Sequence, residues 1–352
     1  MSEPNSHAHL WPGVPLALGS AILFGAAPPL CKLLLDRVNP FMLAGLLYLG
    51  AGAGLALYRL ARGGGAGEAQ LTAGDIPWLA LAIGMGGIVA PVLLMFGLSL
   101  NTASSSALLL NLEGLATMAI AWLVYRENVD RRLLLGAFAI LAGAVLLSWQ
   151  GEGVAFNIGA VLVAAACLAW GLDNNFTRKI SATDPVVIAM LKGLVAGVVN
   201  VGLALAGGAS FPPASIVAVT AAVGFFAIGV SLVMFIVALR HLGTARTGAY
   251  YSLAPFIGAL LAIAILGDAV TLKLAVAGVM MGFGLWLHLS ERHEHEHDHE
   301  ALEHEHSHVH DEHHQHHHDG PVSEPHSHWH RHAPMRHRHP HYPDLHHRHG
   351  HG

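Results

Sequence analysis

Charge is scarce in this chain: 12% of its 352 residues are Asp, Glu, Lys or Arg, against 53% that are hydrophobic. The few charges collect at the ends of apolar runs and in the last sixty or so residues, and segments 76–100 and 215–239 carry none at all. Runs of that length exceed what a soluble core can use and suit helices that cross a hydrocarbon layer of ~30 Å. Cysteine is nearly absent as well. Cys31 and Cys167 stand alone in apolar surroundings, which excludes a disulfide framework or a zinc knuckle and leaves them as small buried hydrophobes. No Lys or Arg precedes the first apolar run, and no small-residue cleavage site leads into a soluble domain. The first run is therefore expected to be an uncleaved helix, not a signal peptide. No Ser/Lys, Ser/His or His-Glu-x-x-His set lies within the apolar runs, so an intramembrane enzyme has no catalytic residues to draw on.

What the chain does have is a duplication. Ten apolar spans are expected at about 14–36, 40–58, 76–99, 104–125, 131–149, 157–177, 186–206, 215–239, 246–266 and 272–289. They fall into two sets of five with shared landmarks. Phe24-Gly25 matches Trp170-Gly171, Asn39-Pro40 matches Asp184-Pro185, and Thr102-Ala103 matches Thr244-Ala245. An odd number of spans per copy forces the copies to lie inverted in a bilayer, an arrangement that lets two similar gates flank one central site. The expected division is a short N-terminal segment (1–13), a first repeat (14–150), a second repeat (151–290) and a tail (291–352). Glycine is abundant, with 40 residues, and Gly193-xxx-Gly197 and Gly278-xxx-Gly282 have the small-residue spacing that permits close helix contact. Pro28-Pro29, Pro91 and Pro255 fall inside spans, where each frees a backbone carbonyl and points to a kinked or broken helix.

Loop charges orient the set. With the N-terminus in the cytoplasm, nine basic residues (Arg59, Arg62, Arg126, Arg131, Arg132, Arg178, Lys179, Arg240 and Arg246) fall inside and three (Lys32, Arg37 and Lys273) fall outside. That bias places both termini in the cytoplasm. The outer loops are too short to hold an extracellular domain.

The ends of the two copies read Thr102-Ala-Ser-Ser-Ser-Ala107, Asn111-Leu-Glu113, Arg126-Glu127, Gly136, and Thr244-Ala-Arg-Thr-Gly-Ala249, Ala254-Pro255, Gly267-Asp268, Gly278. In this pattern the chain resembles the two EamA-type repeats of the drug/metabolite transporter superfamily, over about 14–289. The resemblance implies ten membrane helices and transport as the activity. The superfamily often carries an arginine in the second span of each repeat; here the second copy has Lys192 and the first has nothing basic.

A few polar residues stand within the spans. Glu113 lies near the middle of the fourth, flanked by Asn111 and Thr117. A carboxylate at that depth costs ~2.5–3.5 kcal/mol on insertion scales, so it should face the bundle interior. Two roles fit: a protonatable coupling or substrate site, or an interhelical tie to Asn111 or a neighbouring serine. Asp173, Asn174 and Asn175 occupy the cytoplasmic third of the sixth span, and Lys192 stands a similar depth into the seventh. An Asp173–Lys192 pair is geometrically allowed, either as a structural bridge or as a gate. Tyr251, with Tyr250 and Ser252, either lines a substrate path or packs at an interface. Glu127 and Asp268 sit among turn residues, where helix capping is the expected role. His241 and His288 fall at cytoplasmic span ends.

From Glu291 the composition changes. Of 28 histidines all but His7, His9, His241 and His288 lie here, which leaves 24 in this tail. The densest part runs through His293, His295, His297 and His299, then His304, His306, His308 and His310, then His313, His314, His316, His317 and His318. With so little apolar surface the tail is expected to be disordered. Neutral imidazoles with nearby carboxylates can hold zinc, nickel, cobalt or copper weakly in shifting sets. With an ordinary pKa of ~6.5 they would also gain charge on mild acidification.

The sequence thus predicts an all-α, multi-pass inner-membrane protein of ten helices in two inverted repeats, with a disordered His-rich tail. The first functional expectation is a secondary transporter exporting a small metabolite by alternating access. It needs no cofactor, and the tail acts as a metal-binding regulator or buffer. Alternatives are a Ni/Co/Zn cation transporter of the same fold and a metal-sensing membrane scaffold. The partners are the lipid bilayer, a small-molecule solute and divalent ions on the tail, with a homodimer allowed and nucleic acid not expected.

Overall fold

The computed structural model describes residues 13–62, 71–125, 131–149, 157–180, 183–289, 294–299, 302–308, 326–332 and 335–340. Among the described residues nine helices are long and apolar enough to cross a membrane. They are the first span Gly13–Leu35, the second Pro40–Ala61, the third Ala73–Ser99, the fourth Ala103–Val124 and the fifth Arg131–Ser148. The sixth is Ile158–Lys179, the seventh Val186–Ala206, the eighth Ala214–Ala238 and the tenth Leu272–Leu289. A shorter apolar helix, Ala254–Leu266, stands in ninth place. Expectations that fall on the N-terminal segment, on Arg126 and Glu127, and on His293, His310, His313, His314, His316, His317 and His318 lie outside the described residues.

The ninth span departs from the expected 246–266. Helical winding is unbroken from Ser231 to Tyr251, through the place where a loop was expected, but the segment is not one straight helix. A straight helix would hold Phe235 and Tyr251 about 24 Å apart, yet their rings lie with centroids 4.8 Å apart. The chain therefore doubles back between them. A second interruption follows at Ser252 and Leu253, because Pro255 sits at the start of Ala254–Leu266 and has no N–H to continue a helix. At each of the three proline sites expected to kink or break a span the winding is irregular, and at Pro91 the helix runs on without a break. The first span breaks at Ala26, ahead of Pro28-Pro29. Pro91 follows a π-helical stretch, Ile83–Val89, in the third.

Equivalent spans run antiparallel, as an inverted repeat requires. In the second and seventh, Gly52 meets Gly193 while Gly45 meets Gly197 and Val201. In the fifth and tenth, Gly136 meets Gly284 and His288, while Gly143 meets Ala277 and Met281. Small residues let these backbones approach within van der Waals range, where lipid gives no hydrophobic drive for helices to pair. The Gly193-xxx-Gly197 motif thus works as expected. Gly278 and Gly282 do not: they meet only the side chains of Leu108 and Phe256, and Gly284 makes the close backbone contact instead. Elsewhere the first span packs on the eighth and ninth, the sixth packs on the third and fourth, and the fourth meets the ninth. Cys31 and Cys167 are both free and buried in the apolar core.

Within the tail, 294–299, 302–308, 326–332 and 335–340 are described. Four short strands form: β1 (Glu294–His299), β2 (Leu302–His308), β3 (His326–His332) and β4 (Met335–Pro340). They pair antiparallel as β1 with β4 and β2 with β3. In register, Glu296 stands opposite Arg338, Asp298 opposite Arg336, and Glu303 opposite Arg331.

Candidate functional site

The fourth span is split into Ala103–Leu109 and Leu112–Tyr125, so Glu113 stands in the first turn of the second piece. No proline causes this break. The Asn111 side-chain amide donates to the Leu108 carbonyl at 2.8 Å, a local bond that competes with the helix ladder. The Glu113 backbone N–H reaches Leu110, three residues back. The expected tie between Glu113 and Asn111 is not made. Glu113 pairs instead with the other repeat: Asn174 Nδ2 on the sixth span donates to Glu113 Oε1 at 3.1 Å and to Thr117 Oγ1 at 3.1 Å. The Thr117 hydroxyl in turn donates to the Glu113 carbonyl at 2.9 Å. Asn175 adds a further bond across the seam, donating to the Thr117 carbonyl at 3.2 Å.

Next to Asn174, the Asp173 carboxylate turns toward the seventh span. Lys192 Nζ donates to its two oxygens at 2.6 and 2.7 Å, and the Thr177 hydroxyl donates to Oδ1 at 3.1 Å. Asp173 is 6% and Lys192 17% exposed, so this is a buried, bidentate ion pair. Glu113 lies within electrostatic reach of both partners. Asp173 and Lys192 pair with one another, so among the described residues Glu113 is the carboxyl of this cluster that has an amide, Asn174, and not a cation as its partner.

Sequence reasoning missed the wall behind the pair. Gly86 in the π-helical stretch of the third span is pressed against Asp173, so closely that a Cβ there would overlap its carboxylate. The Gly86 carbonyl accepts from the Tyr48 hydroxyl at 2.9 Å and from Trp170 Nε1 at 3.0 Å. The Gly87 carbonyl accepts from Asn200 Nδ2 at 3.0 Å. The available signal was Pro91, whose missing N–H leaves one carbonyl four or five residues back, at Gly87 or Gly86, without a helix donor.

Tyr251 lies where the first and eighth spans meet. Its ring packs on Phe24 (centroids 5.4 Å) and Phe235 (4.8 Å), within electrostatic reach of Glu113. Tyr250 packs against Ala17 and Ala238, and the Ser252 hydroxyl bonds back to Gly248 at 2.7 Å. Nearby, Ser20 and Ser231 exchange hydroxyl-to-carbonyl bonds of 2.7 and 3.0 Å between the first and eighth spans. The repeat landmarks set the two copies in correspondence. Asp173 matches Ala27, Lys192 matches Leu47 and Glu113 matches Pro255. The positions of the ion pair and of Glu113 are thus all apolar in the other copy.

Other polar residues sit at helix ends. Asp268 Oδ2 accepts from the Ser104 N–H at 2.8 Å, so it caps the fourth span from the far repeat. Asp184 accepts from Val186 N–H at 2.9 Å and Val187 N–H at 3.4 Å while pairing with Arg59 of the second span. Lys32 donates to the carbonyls of Leu98 and Asn101 at 2.5 and 2.8 Å, at the C-terminal end of the third span. His288 stands 3.0 Å from the Leu133 carbonyl, at the contact of the fifth and tenth spans. Among the described residues no three His, Cys, Asp or Glu side chains gather into a group that could hold a metal ion.

The chain matches the EamA-like transporter family twice, over residues 11–149 and 157–290. An uncharacterized transporter of Methanothermobacter thermautotrophicus is 28% identical over 295 residues, which covers 79% of this chain and 86% of that protein. The uncharacterized transporter YyaM of Bacillus subtilis is 22% identical over 292 residues, covering 77% and 91% respectively. A protein of known crystal structure shares the fold at a TM-score of 0.59 and 21% identity, covering 78% of this chain and 95% of its own.

Proposed function

The chain belongs to the EamA-like transporter family, and on that premise we propose that it is a secondary transporter that exports a small metabolite across an inner membrane by alternating access. The observation that carries this is the bond from Asn174 to Glu113, which joins the fourth span of one repeat to the sixth of the other. An acid in the middle of a span, held across the seam between repeats, stands where a solute or a proton can reach it from either side in turn. Both termini face the cytoplasm in this reading, on the strength of the loop charges. Glu113 is the coupling or substrate group. Asn174 and Thr117 orient it, and the Asp173–Lys192 pair forms the adjoining wall.

The tail has a separate, regulatory role in this proposal. Its histidines bind divalent metal on the cytoplasmic face and adjust transport to metal load.

The test compares small molecules released by cells that express the full chain, the Glu113→Gln variant and a chain ending at Leu289. A solute exported by the full chain and by the truncated chain, but not by Glu113→Gln, supports the reading. Release unchanged by Glu113→Gln removes that residue from the mechanism. Loss of export on truncation alone, without added metal, removes the regulatory role from the tail.

A further inference from the structure

The third span carries a joint that the proposed role of Glu113 does not use. Its middle, Ile83–Val89, is wound as a π-helix, and the Ala90 N–H bonds to Met85 five residues back. The next donor in line would be residue 91. That residue is proline, with no N–H, so one of the Gly86 (five back) and Gly87 (four back) carbonyls loses its natural partner, and the other is the one skipped where five-back bonding returns to four-back bonding. In a hydrocarbon surrounding such a carbonyl must be satisfied from elsewhere.

Three side chains supply the bonds, and two of them come from the opposite repeat. Tyr48 reaches Gly86 from the second span and Trp170 reaches it from the sixth, while Asn200 reaches Gly87 from the seventh. Asn200 is fully buried, and its own amide oxygen has no partner among the described residues. It is therefore held in place for its donor alone.

The eighth span offers an internal control. It too is π-helical at the corresponding place, Phe225–Val230. There the position matching Pro91 is Val233, and those matching Tyr48, Trp170 and Asn200 are Gly193, Phe24 and Leu55. The π-helical turn is common to both copies. The proline and its three donors exist in one.

We infer that Tyr48, Trp170 and Asn200 are positioning residues that close a joint at Gly86–Gly87 across the two repeats, and through it hold the Asp173–Lys192 pair in place. Asp173 lies directly against Gly86, so a change of bend at this turn moves the ion pair with it. When the repeats rock against one another, the bonds from Trp170 and Asn200 are the ones that must follow or break. What the joint serves rests on the transport reading; its existence does not, and the test needs no solute.

Hydrogen–deuterium exchange is measured on the full chain in lipid nanodiscs, over residues 83–92 and over the eighth-span counterpart 225–230. Loss of one donor in Tyr48→Phe, Trp170→Phe or Asn200→Leu should speed exchange over 83–92 about three- to tenfold, the factor expected for one hydrogen bond. Exchange over 225–230 should stay at the parent rate. Pro91→Ala returns a backbone donor, so in that background Tyr48→Phe should change exchange less than about twofold, the non-additivity that marks a shared bond. Unchanged exchange over 83–92 overturns the inference. Equal acceleration of both segments overturns it too, since the donor then supports the fold at large. So does a Tyr48→Phe effect that is undiminished in the Pro91→Ala background. If Tyr48→Phe fails to fold, Trp170→Phe and Asn200→Leu carry the same comparison.

Discussion

Lys192 holds both carboxylate oxygens of Asp173, at 2.6 and 2.7 Å, from the neighbouring span of the same repeat. Nothing in the first repeat corresponds to it. A buried pair of this kind does little better than offset its own desolvation, but removing one partner leaves an uncompensated charge. Lys192→Met should therefore lower the stability of the detergent-solubilised protein by about 3–5 kcal/mol, and Asp173→Asn combined with Lys192→Met should recover most of that. Thermal unfolding followed by size-exclusion recovery gives both numbers. A double variant no better than Lys192→Met would show that the pair has a role beyond mutual neutralisation.

Gly86 has no room for a methyl group because Asp173 occupies the place, and at Gly87 a Cβ would come within 2.6 Å of the Ala196 Cβ. Overpacking of a tight interface costs roughly 1–3 kcal/mol and more where the neighbour is pinned. Gly86→Ala should be the more damaging of the two, since Asp173 is fixed by Lys192. Gly84→Ala and Gly114→Ala meet nothing within 4 Å and serve as controls that should leave stability unchanged. A Gly86→Ala protein as stable as the controls would contradict the packing described.

Asp184 does two jobs at the start of the seventh span, as N-cap and as partner of Arg59. Asn keeps the capping oxygen and loses the charge; Ala loses both. The loss for Asp184→Ala should exceed that for Asp184→Asn by about 1 kcal/mol, the value of an N-cap. Arg59→Gln should resemble Asp184→Asn. Unfolding midpoints for the three variants test the order.

Asp268 accepts the Ser104 N–H across the two repeats. Asp268→Ala should cost about 0.5–2 kcal/mol, as loss of a cap does. Because the bond also ties the repeats, amide exchange over residues 103–106 should rise in that variant. An Asp268→Ala protein with parent exchange there would reduce Asp268 to a loop residue.

The helices were legible because a bilayer demands long apolar runs, and the inversion was legible because five is odd. Pro28-Pro29, Pro91 and Pro255 marked irregular winding, since a missing N–H has the same consequence in any context. The break before Glu113 was not legible: it depends on Asn111 bonding its own backbone, and Asn takes several local conformations. The reversal inside Ser231–Tyr251 was expected as a loop, but its helical winding was not. The partners that the sequence offered Glu113, Asn111 or a neighbouring serine, are near in sequence, while Asn174 is near only in space. Tyr48 and Asn200 gave no sign, because a Tyr or Asn in an apolar span does not announce which carbonyl it serves.

Composition and periodicity by themselves determined a membrane bundle of two related halves, its acids and its lysine, because the cost of burying charge in hydrocarbon acts on each residue alone. Only the tertiary structure decided which polar groups meet. Asn174 finds Glu113, and Tyr48, Trp170 and Asn200 find the carbonyls of Gly86 and Gly87. Those pairings bring together three or four different spans, and hydrogen bonds are satisfied by proximity in space, which order along the chain does not record.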